Sequence, residues 1–228
     1  MSATIIDGVT MARQVLAELK SRGTALAAAG RQPGLAVLLV GDDPASAVYV
    51  RSKERACRDA GVRTFDTRLP ASTGQAELLQ KIDQLNADPQ VHGILVQLPL
   101  PQHLDPVQVM QSIAVGKDVD GFNWRNLGAL LDGHATLAPC TPSGAMLMLE
   151  RASVPVAGRH AVVIGRSSIV GKPAALMLLE RNATVTICHS RTPDLAAITR
   201  LADILVCAIG KPRAVTAEMI KPGAAVID

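Results

Sequence analysis

The sequence predicts an α/β protein built from two units of parallel sheet flanked by helices. Three observations carry that expectation. Short apolar runs alternate with segments of helical spacing along the chain, the pattern of strands joined by right-handed crossovers. Hydrophobic residues make up 48% of the 228 and aromatics only 2%. The core is therefore assembled from Ala, Val, Leu and Ile, which suits strands buried on both faces. Residues 160–188, finally, read as one strand, glycine loop, helix and strand.

Taken in order, Ala12, Val15, Leu16 and Leu19 follow helical spacing, which predicts an amphipathic helix ending near Gly30. The apolar run 35–40 is a buried strand. Asp43 and Pro44 supply a cap and a first-turn proline for a helix that stops at Gly61. Residues 62–69 form the next strand, 75–85 the next helix and 94–98 a third strand, closed by Pro99 and Pro101. A short helix covers 106–112. From Gly116 to Pro142 turn signals dominate, which predicts an irregular seam with a domain boundary near Pro139. Thr141 is placed to cap a helix running to Arg151. The second domain continues with strand 160–164, helix 174–181 and strand 183–188, and a last apolar strand at 224–227 precedes Asp228.

Composition excludes several classes of function. A net charge of +3, scattered along the chain, gives no nucleic-acid face. Cys57, Cys140, Cys188 and Cys207 are widely spaced with no CxxC pair. They read as reduced, mostly buried thiols of a cytosolic protein, not as a disulfide frame or a metal site. Neither a secretory n-region nor a membrane-length apolar stretch is present.

The loop from Gly165 to Gly171 carries the first chemical signal. It joins a buried strand to a helix whose first turn holds Pro173. Such a loop presents main-chain N–H groups and the positive end of a helix dipole, a physical site for phosphate. A Walker loop is excluded, because five residues rather than four separate the glycines and Pro173 stands where the magnesium-binding hydroxyl belongs. A G-x-S-x-G elbow fails at Ile169. The dinucleotide pattern G-x-G-x-x-G is matched loosely, with Ser167 in the middle position and a longer gap to Gly171. The loop alone leaves dinucleotide binding and a ligand-free turn both open. The end of the next strand favours the former. NAD-binding units place an acid about twenty residues on, to hold ribose hydroxyls. Here the segment reads Cys188-His189-Ser190-Arg191-Thr192, with no acid before Asp194. Ser190 can donate to a ribose phosphate and Arg191 or Arg166 can pair with it, so the predicted cofactor is NADP rather than NAD.

In the first domain, Tyr49 and Lys53 are four apart on one helix and share a face. A lysine beside a phenol in a partly dry cleft can transfer protons; a lysine snorkelling over its own helix is the plainer reading. Gln97 ends a parallel strand, where ligand sites of open α/β sheets lie, or is an ordinary strand-end amide. Asp118 and Asp120 alternate in the run Lys117–Gly121 without the remaining ligands of a calcium loop, and at least one of them reads as a turn-stabilising Asp.

Taken together and in this order, YVRSK at 49–53, VQLPLP at 96–101, KDVDGF at 117–122, PCTP at 139–142 and GRSSIVGKP at 165–173 resemble the bifunctional methylenetetrahydrofolate dehydrogenase/methenyltetrahydrofolate cyclohydrolases. The resemblance runs from about Ile6 to Asp228. Each motif alone is weak; their order makes the match specific. It implies two α/β domains with a cleft between them: a folate-binding catalytic domain over 1–139 and a Rossmann-type NADP-binding domain over 140–228. It further implies a cytoplasmic homodimer in one-carbon metabolism and purine biosynthesis. The expected partner is a small-molecule folate substrate, with no nucleic acid, membrane or metal. By position, Lys53 resembles the family's catalytic lysine and Tyr49 the ring that packs on the folate. Gln97 resembles the amide that hydrogen-bonds lysine and substrate, with Val96 and Leu98 beside it in the substrate-binding segment. Asp120 resembles the carboxylate that holds the pterin. Gly165, Arg166, Ser167 and Ser190 resemble cofactor contacts.

The implied chemistry is NADP-dependent oxidation of methylenetetrahydrofolate to methenyltetrahydrofolate, then hydrolysis to formyltetrahydrofolate. Orientation governs the first step. The second needs proton transfer, for which Lys53 with Gln97 is the candidate. Two other readings stay open. Short-chain dehydrogenases also use YxxxK, but their pair follows the nucleotide loop, whereas Tyr49 lies far upstream of Gly165. The other is a truncated, weakly active or inactive NADP- and folate-binding form. The resemblance includes a further glycine segment, a PGGVGP-like loop and a returning helix that do not occur in this sequence, and an exposed apolar patch is expected where that helix would pack.

Overall fold

The computed structural model describes residues 3–228, the side chains of Ala45 and Ala47 excepted. The chain forms two compact units, one over Asp7–Trp124 and one over Arg125–Asp228 joined by the residues up to Ile6.

The first unit opens with α1 (Gly8–Ala28), whose N-terminus is capped by Asp7: its Oδ1 accepts from the N–H groups of Val9 at 3.0 Å and Thr10 at 3.3 Å. Then follow β1 (Gly34–Val40), α2 (Pro44–Asp59), β2 (Arg63–Leu69), α3 (Gln75–Ala87), β3 (Gly93–Val96) and α4 (Pro106–Ser112). The strands make a parallel sheet in the order β2-β1-β3, with Leu38 opposite both Thr67 and Val96. Central β1 is buried almost throughout because both of its faces are covered. Ala36, Leu38 and Val40 pack with Ile94, Val96, Leu78, Ile82 and Val109 on one side. Val37 and Leu39 pack with Leu95 and Val50 on the other. Each fully buried Leu or Val there contributes about 1.5–3 kcal/mol of transfer free energy. The stripe expected to bury α1 does so only in part: Val15 and Leu16 are half-buried, while Ala12 and Leu19 are exposed and Gly23 is the helix's buried residue.

The second unit contains α5 (Trp124–Leu131), which begins at the division, α6 (Cys140–Arg151), β4 (His160–Ile164), α7 (Gly171–Glu180), β5 (Thr184–Cys188), α8 (Leu195–Thr199), β6 (Ile204–Cys207) and β7 (Ala225–Ile227). Its sheet is again parallel, in the order β5-β4-β6-β7. Ala161, Val163, Ile204 and Val206 face Ala174, Leu178, Met146 and Leu149. Val162, Ile164 and Leu205 face the opposite layer with Ala202 and Ile198. Helices on both faces of a parallel sheet whose first βα turn is glycine-rich give the Rossmann-type arrangement expected.

Several sequence expectations change. Residues 116–142 are not wholly irregular, for α5 lies within them. Gly128 and the following Gly133 obscured a helix whose Leu130 is buried among α6 and α7 residues. Ala135 and Ala138 pack on that same core, and the second compact unit takes in the chain from Arg125 onward. Thr141 caps nothing. It sits inside α6, which starts at Cys140 behind Pro139, and the Ser143 hydroxyl donates back to the Pro139 carbonyl at 2.8 Å. Helix α7 starts at Gly171, a few residues before the expected Ala174, with Pro173 in its first turn. β6 and α8 are too short for periodicity to reveal. All four cysteines are free thiols, but they are not mostly buried: Cys188 is, Cys57 and Cys207 are half-buried, and Cys140 is exposed because it opens α6 at the surface. No helix among the described residues is long and apolar enough to cross a membrane. Among the same residues, no group of three or more His, Cys, Asp or Glu side chains could hold a metal ion.

Candidate active site

In the first unit the chemistry gathers where β3 ends. The ladder continues one step beyond Val96, because the Gln97 N–H donates to the Leu38 carbonyl at 2.8 Å. That fixes the Gln97 backbone at the carboxyl edge of the sheet, the edge where open α/β sheets bind ligands. Its side chain is held at both ends. Nε2 donates to the Leu98 carbonyl at 2.7 Å, and Oε1 accepts from Lys53 Nζ at 3.0 Å. The bonding also settles the amide's orientation, since an ammonium can only donate. Lys53 comes from α2, which Asp43 caps as expected, its Oδ2 accepting from the Ser46 N–H at 2.7 Å. Tyr49, one turn earlier on α2, is 64% exposed and leaves its ring available to a ligand. Val96 has its side chain in the core at 2% exposure, so only its main chain can meet a ligand; Leu98 is half-buried.

The loop 117–123 brings the carboxylates. Lys117 Nζ donates to the carbonyls of Leu85, Asn86 and Asp88 at 3.1, 2.8 and 2.8 Å, closing the C-terminus of α3. Asp118 is 1% exposed, bridges to Ile94 and accepts from the Asn123 N–H through Oδ2 at 2.7 Å. It is the turn-stabilising carboxylate of the pair. Asp120 is of a different kind: burial pushes its carboxyl pKa up, the Lys53 charge draws it down, and Asp118 adds to the rise. Lys53 thus interacts with both Gln97 and Asp120, from three separate stretches of chain.

In the second unit the loop after β4 is shaped by its backbone. Gly165 has φ +123°, a conformation that side chains rarely adopt. A Cβ there would lie 2.3 Å from the Ala208 carbonyl oxygen, and a Cβ on Gly171 would lie 2.3 Å from the Gly165 oxygen. The first turn of α7 therefore rests directly on the loop's main chain. Ser167 Oγ accepts from the N–H groups of Val170 at 3.2 Å and Gly171 at 3.3 Å, so this hydroxyl caps α7. Arg166, Ser167 and Ser190 are exposed, Ser190 at the corner of a turn just beyond β5.

The structure therefore joins Lys53, Gln97 and Asp120 in one cluster with Tyr49 on the adjoining helix face, and it places Gly165, Arg166 and Ser167 on one loop with Ser190 beyond the neighbouring strand. Sequence reasoning missed Lys117, which holds the carboxylate loop to α3, and Asn123, which takes up Asp118. Both lie in or next to the KDVDGF run, but three contacts to distant carbonyls leave no local pattern.

Comparison with known proteins bears on the same residues. The catalytic-domain profile of the tetrahydrofolate dehydrogenase/cyclohydrolase family matches residues 6–120, and its NAD(P)-binding-domain profile matches residues 139–228. The bifunctional protein FolD of Moorella thermoacetica is 59% identical over 228 residues, which cover 100% of this chain and 81% of that protein. The bifunctional FolD methylenetetrahydrofolate dehydrogenase/cyclohydrolase of Campylobacter jejuni matches with a TM-score of 0.97 at 43% identity, over 99% of this chain and 80% of that one. The Trypanosoma brucei dehydrogenase-cyclohydrolase, solved with NADP cofactor and inhibitor, gives 0.95 at 39% identity, over 99% and 78%. The agreement covers both units, and the chain belongs to the tetrahydrofolate dehydrogenase/cyclohydrolase family.

Proposed function

We propose that the chain oxidises methylenetetrahydrofolate with NADP and hydrolyses the methenyl product to formyltetrahydrofolate, the first unit holding the folate and the second the cofactor. The observation that carries this reading is the Lys53 Nζ to Gln97 Oε1 hydrogen bond at 3.0 Å, beside a carboxylate that burial makes easier to protonate. In sequence terms the folate-side domain is 1–139 and the NADP-side domain 140–228.

Tyr49 offers an exposed ring for the pterin or aryl part of the folate to stack on. Asp120 accepts hydrogen bonds from the pterin's amino and ring N–H groups, and Val96 and Leu98 add main-chain and apolar contact. In the oxidation, a folate nitrogen lone pair pushes as the methylene carbon is oxidised, leaving a delocalised methenyl cation. These residues therefore serve that step by orientation. In the hydrolysis, water adds to the methenyl carbon and one carbon–nitrogen bond breaks. Lys53 moves the proton from the attacking water toward the departing nitrogen, and Gln97 keeps Nζ in place.

The loop fits NADP. Bare main chain at Gly165 and Gly171 permits the close approach that a pyrophosphate needs. Ser167, whose lone pairs are turned to the α7 N–H groups, keeps its proton for a phosphate oxygen. Arg166 and Ser190 are the partners for a ribose phosphate. Bound NADP supplies the two-electron acceptor. We also infer a homodimer, acting in the cytoplasm on the one-carbon supply of purine biosynthesis; sedimentation velocity tests the dimer.

The deciding experiment follows NADPH formation and methenyl absorbance together, starting from methylenetetrahydrofolate, with NAD in a parallel cell. Reduction of NADP followed by decay of the methenyl signal is expected. Binding of both ligands without turnover would leave only the inactive binding form.

A further inference from the structure

We infer that His189 is a positioning residue for cofactor choice: its imidazole locks the turn that presents Ser190 and Arg191. This rests on the NADP reading above.

Three hydrogen bonds close the turn from His189 to Thr192. The Thr192 N–H donates to the His189 carbonyl at 2.9 Å, which makes Ser190 and Arg191 the two central residues of a β-turn. The His189 N–H donates to Thr192 Oγ1 at 2.9 Å. The Arg191 N–H donates to His189 Nδ1 at 3.1 Å. This last bond is the unusual one. A side chain accepting from the N–H two residues on is the geometry of an Asx-turn, for which Asn and Asp are the ordinary choices. An imidazole performs it here, and must be the tautomer with its proton on Nε2.

The consequence falls on the exposed corner. Without these bonds a polar four-residue loop on the end of edge strand β5 would sample many conformations. With them, Ser190 Oγ and the start of the Arg191 side chain leave a fixed backbone. Thr192 is anchored in turn, since its hydroxyl also bonds the buried Cys188 thiol. The Arg191 N–H is taken by His189 and is not offered to a ligand, and the charged and hydroxyl donors at this corner are the side chains of Arg191 and Ser190. A ribose phosphate uses those donors, whereas a ribose hydroxyl gains much less from them. Preorganisation by His189 therefore acts on NADP and spares NAD.

Calorimetric affinities for NADP and NAD on the full chain test this, with His189→Ala and His189→Asn. His189→Ala is expected to weaken NADP by about five- to tenfold and leave NAD within about twofold, a loss near one factor of ten in binding constant. His189→Asn restores the acceptor two residues before the donor and is expected to recover most of the NADP affinity. Equal weakening of both cofactors by His189→Ala, or none, overturns the inference, as does failure of Asn to rescue. If the unaltered chain binds NAD as tightly as NADP, the cofactor reading itself falls and takes this inference with it. A preserved NADP preference with an unaffected His189→Ala removes the inference alone.

Discussion

Both candidate sites lie at the carboxyl edge of their own parallel sheet, yet they are built from different materials. In the first unit the site is made of side chains. Lys53 meets Gln97 through a 3.0 Å hydrogen bond and Asp120 through its charge, the three coming from separate stretches of chain. In the second it is made of main chain, with two glycines packed so closely that a methyl group fits at neither. The difference follows from what each must do. Moving a proton requires titratable groups out of bulk water and in contact. Holding a dinucleotide requires bare backbone and a helix end. Substitutions in the first unit should therefore damage chemistry and spare the fold, and those in the second should damage shape.

Lys53→Met is the sharpest way to separate these. It removes the proposed proton carrier from a half-buried helix position whose loss opens no core cavity. Methenyl hydrolysis, followed by its absorbance decay, is expected to fall about 10²- to 10⁴-fold, the usual range for a general acid–base residue. The melting temperature should barely move. A rate within about threefold of the parent, under 1 kcal/mol, would mean that Lys53 does not carry the proton.

Gly165→Ala should do the reverse. The new Cβ would sit 2.3 Å from the Ala208 oxygen at a φ of +123°, and strain of that kind with overpacking costs about 2–4 kcal/mol. Chemical denaturation should show the loss, and cofactor affinity should fall with it. A variant as stable as the parent would show that the loop relaxes freely and that its backbone shape is not fixed by close packing.

The same contrast explains how much could be read in advance. β1, β4 and the capped start of α2 were legible because continuous apolar runs and Asp43-Pro44 are local signals. Lys53 and Gln97 were legible as a pair only through an ordered set of motifs, since the residues lie in separate segments and nothing local joins them. α5 was hidden by Gly128 and Gly133, and it forms because Leu130 finds a core made by α6 and α7. Tertiary burial, not propensity, decides such a helix. The roles of Lys117 and His189 are equally invisible, because their partners are carbonyl and N–H groups, which every residue possesses.

Arg166→Ala tests whether the exposed side chains around the second site carry selectivity while the glycines carry binding. NADP should weaken more than NAD, by about 1.5 kcal/mol, the low end for a hydrogen bond to a charged group, since the guanidinium is exposed and screened. Calorimetry with the two cofactors measures it directly. Equal losses for both would place Arg166 on the shared pyrophosphate instead.

The smallest effect is expected at Asp120, and its sign is the informative part. Burial, the largest influence, raises this carboxyl above the ordinary 3.8, with Lys53 opposing and Asp118 reinforcing. The folded chain therefore keeps the proton to higher pH than the unfolded chain does. Between 3.8 and the raised value the unfolded state binds fewer protons, so stability falls as pH rises through that window. The cost is complete above the window and absent below it. Asp120→Asn, which carries no charge to desolvate, should melt slightly higher than the parent at neutral pH, and the gap should close as the pH falls toward 3.8. Folate affinity should drop in the same variant, since an amide offers one acceptor oxygen where the proposed pterin contact uses two. A higher melting point with weaker folate binding is the trade expected of a site residue. A lower melting point at neutral pH would instead mean that the Lys53 charge outweighs burial, and that the carboxylate belongs to the stability of the first unit as well as to its chemistry.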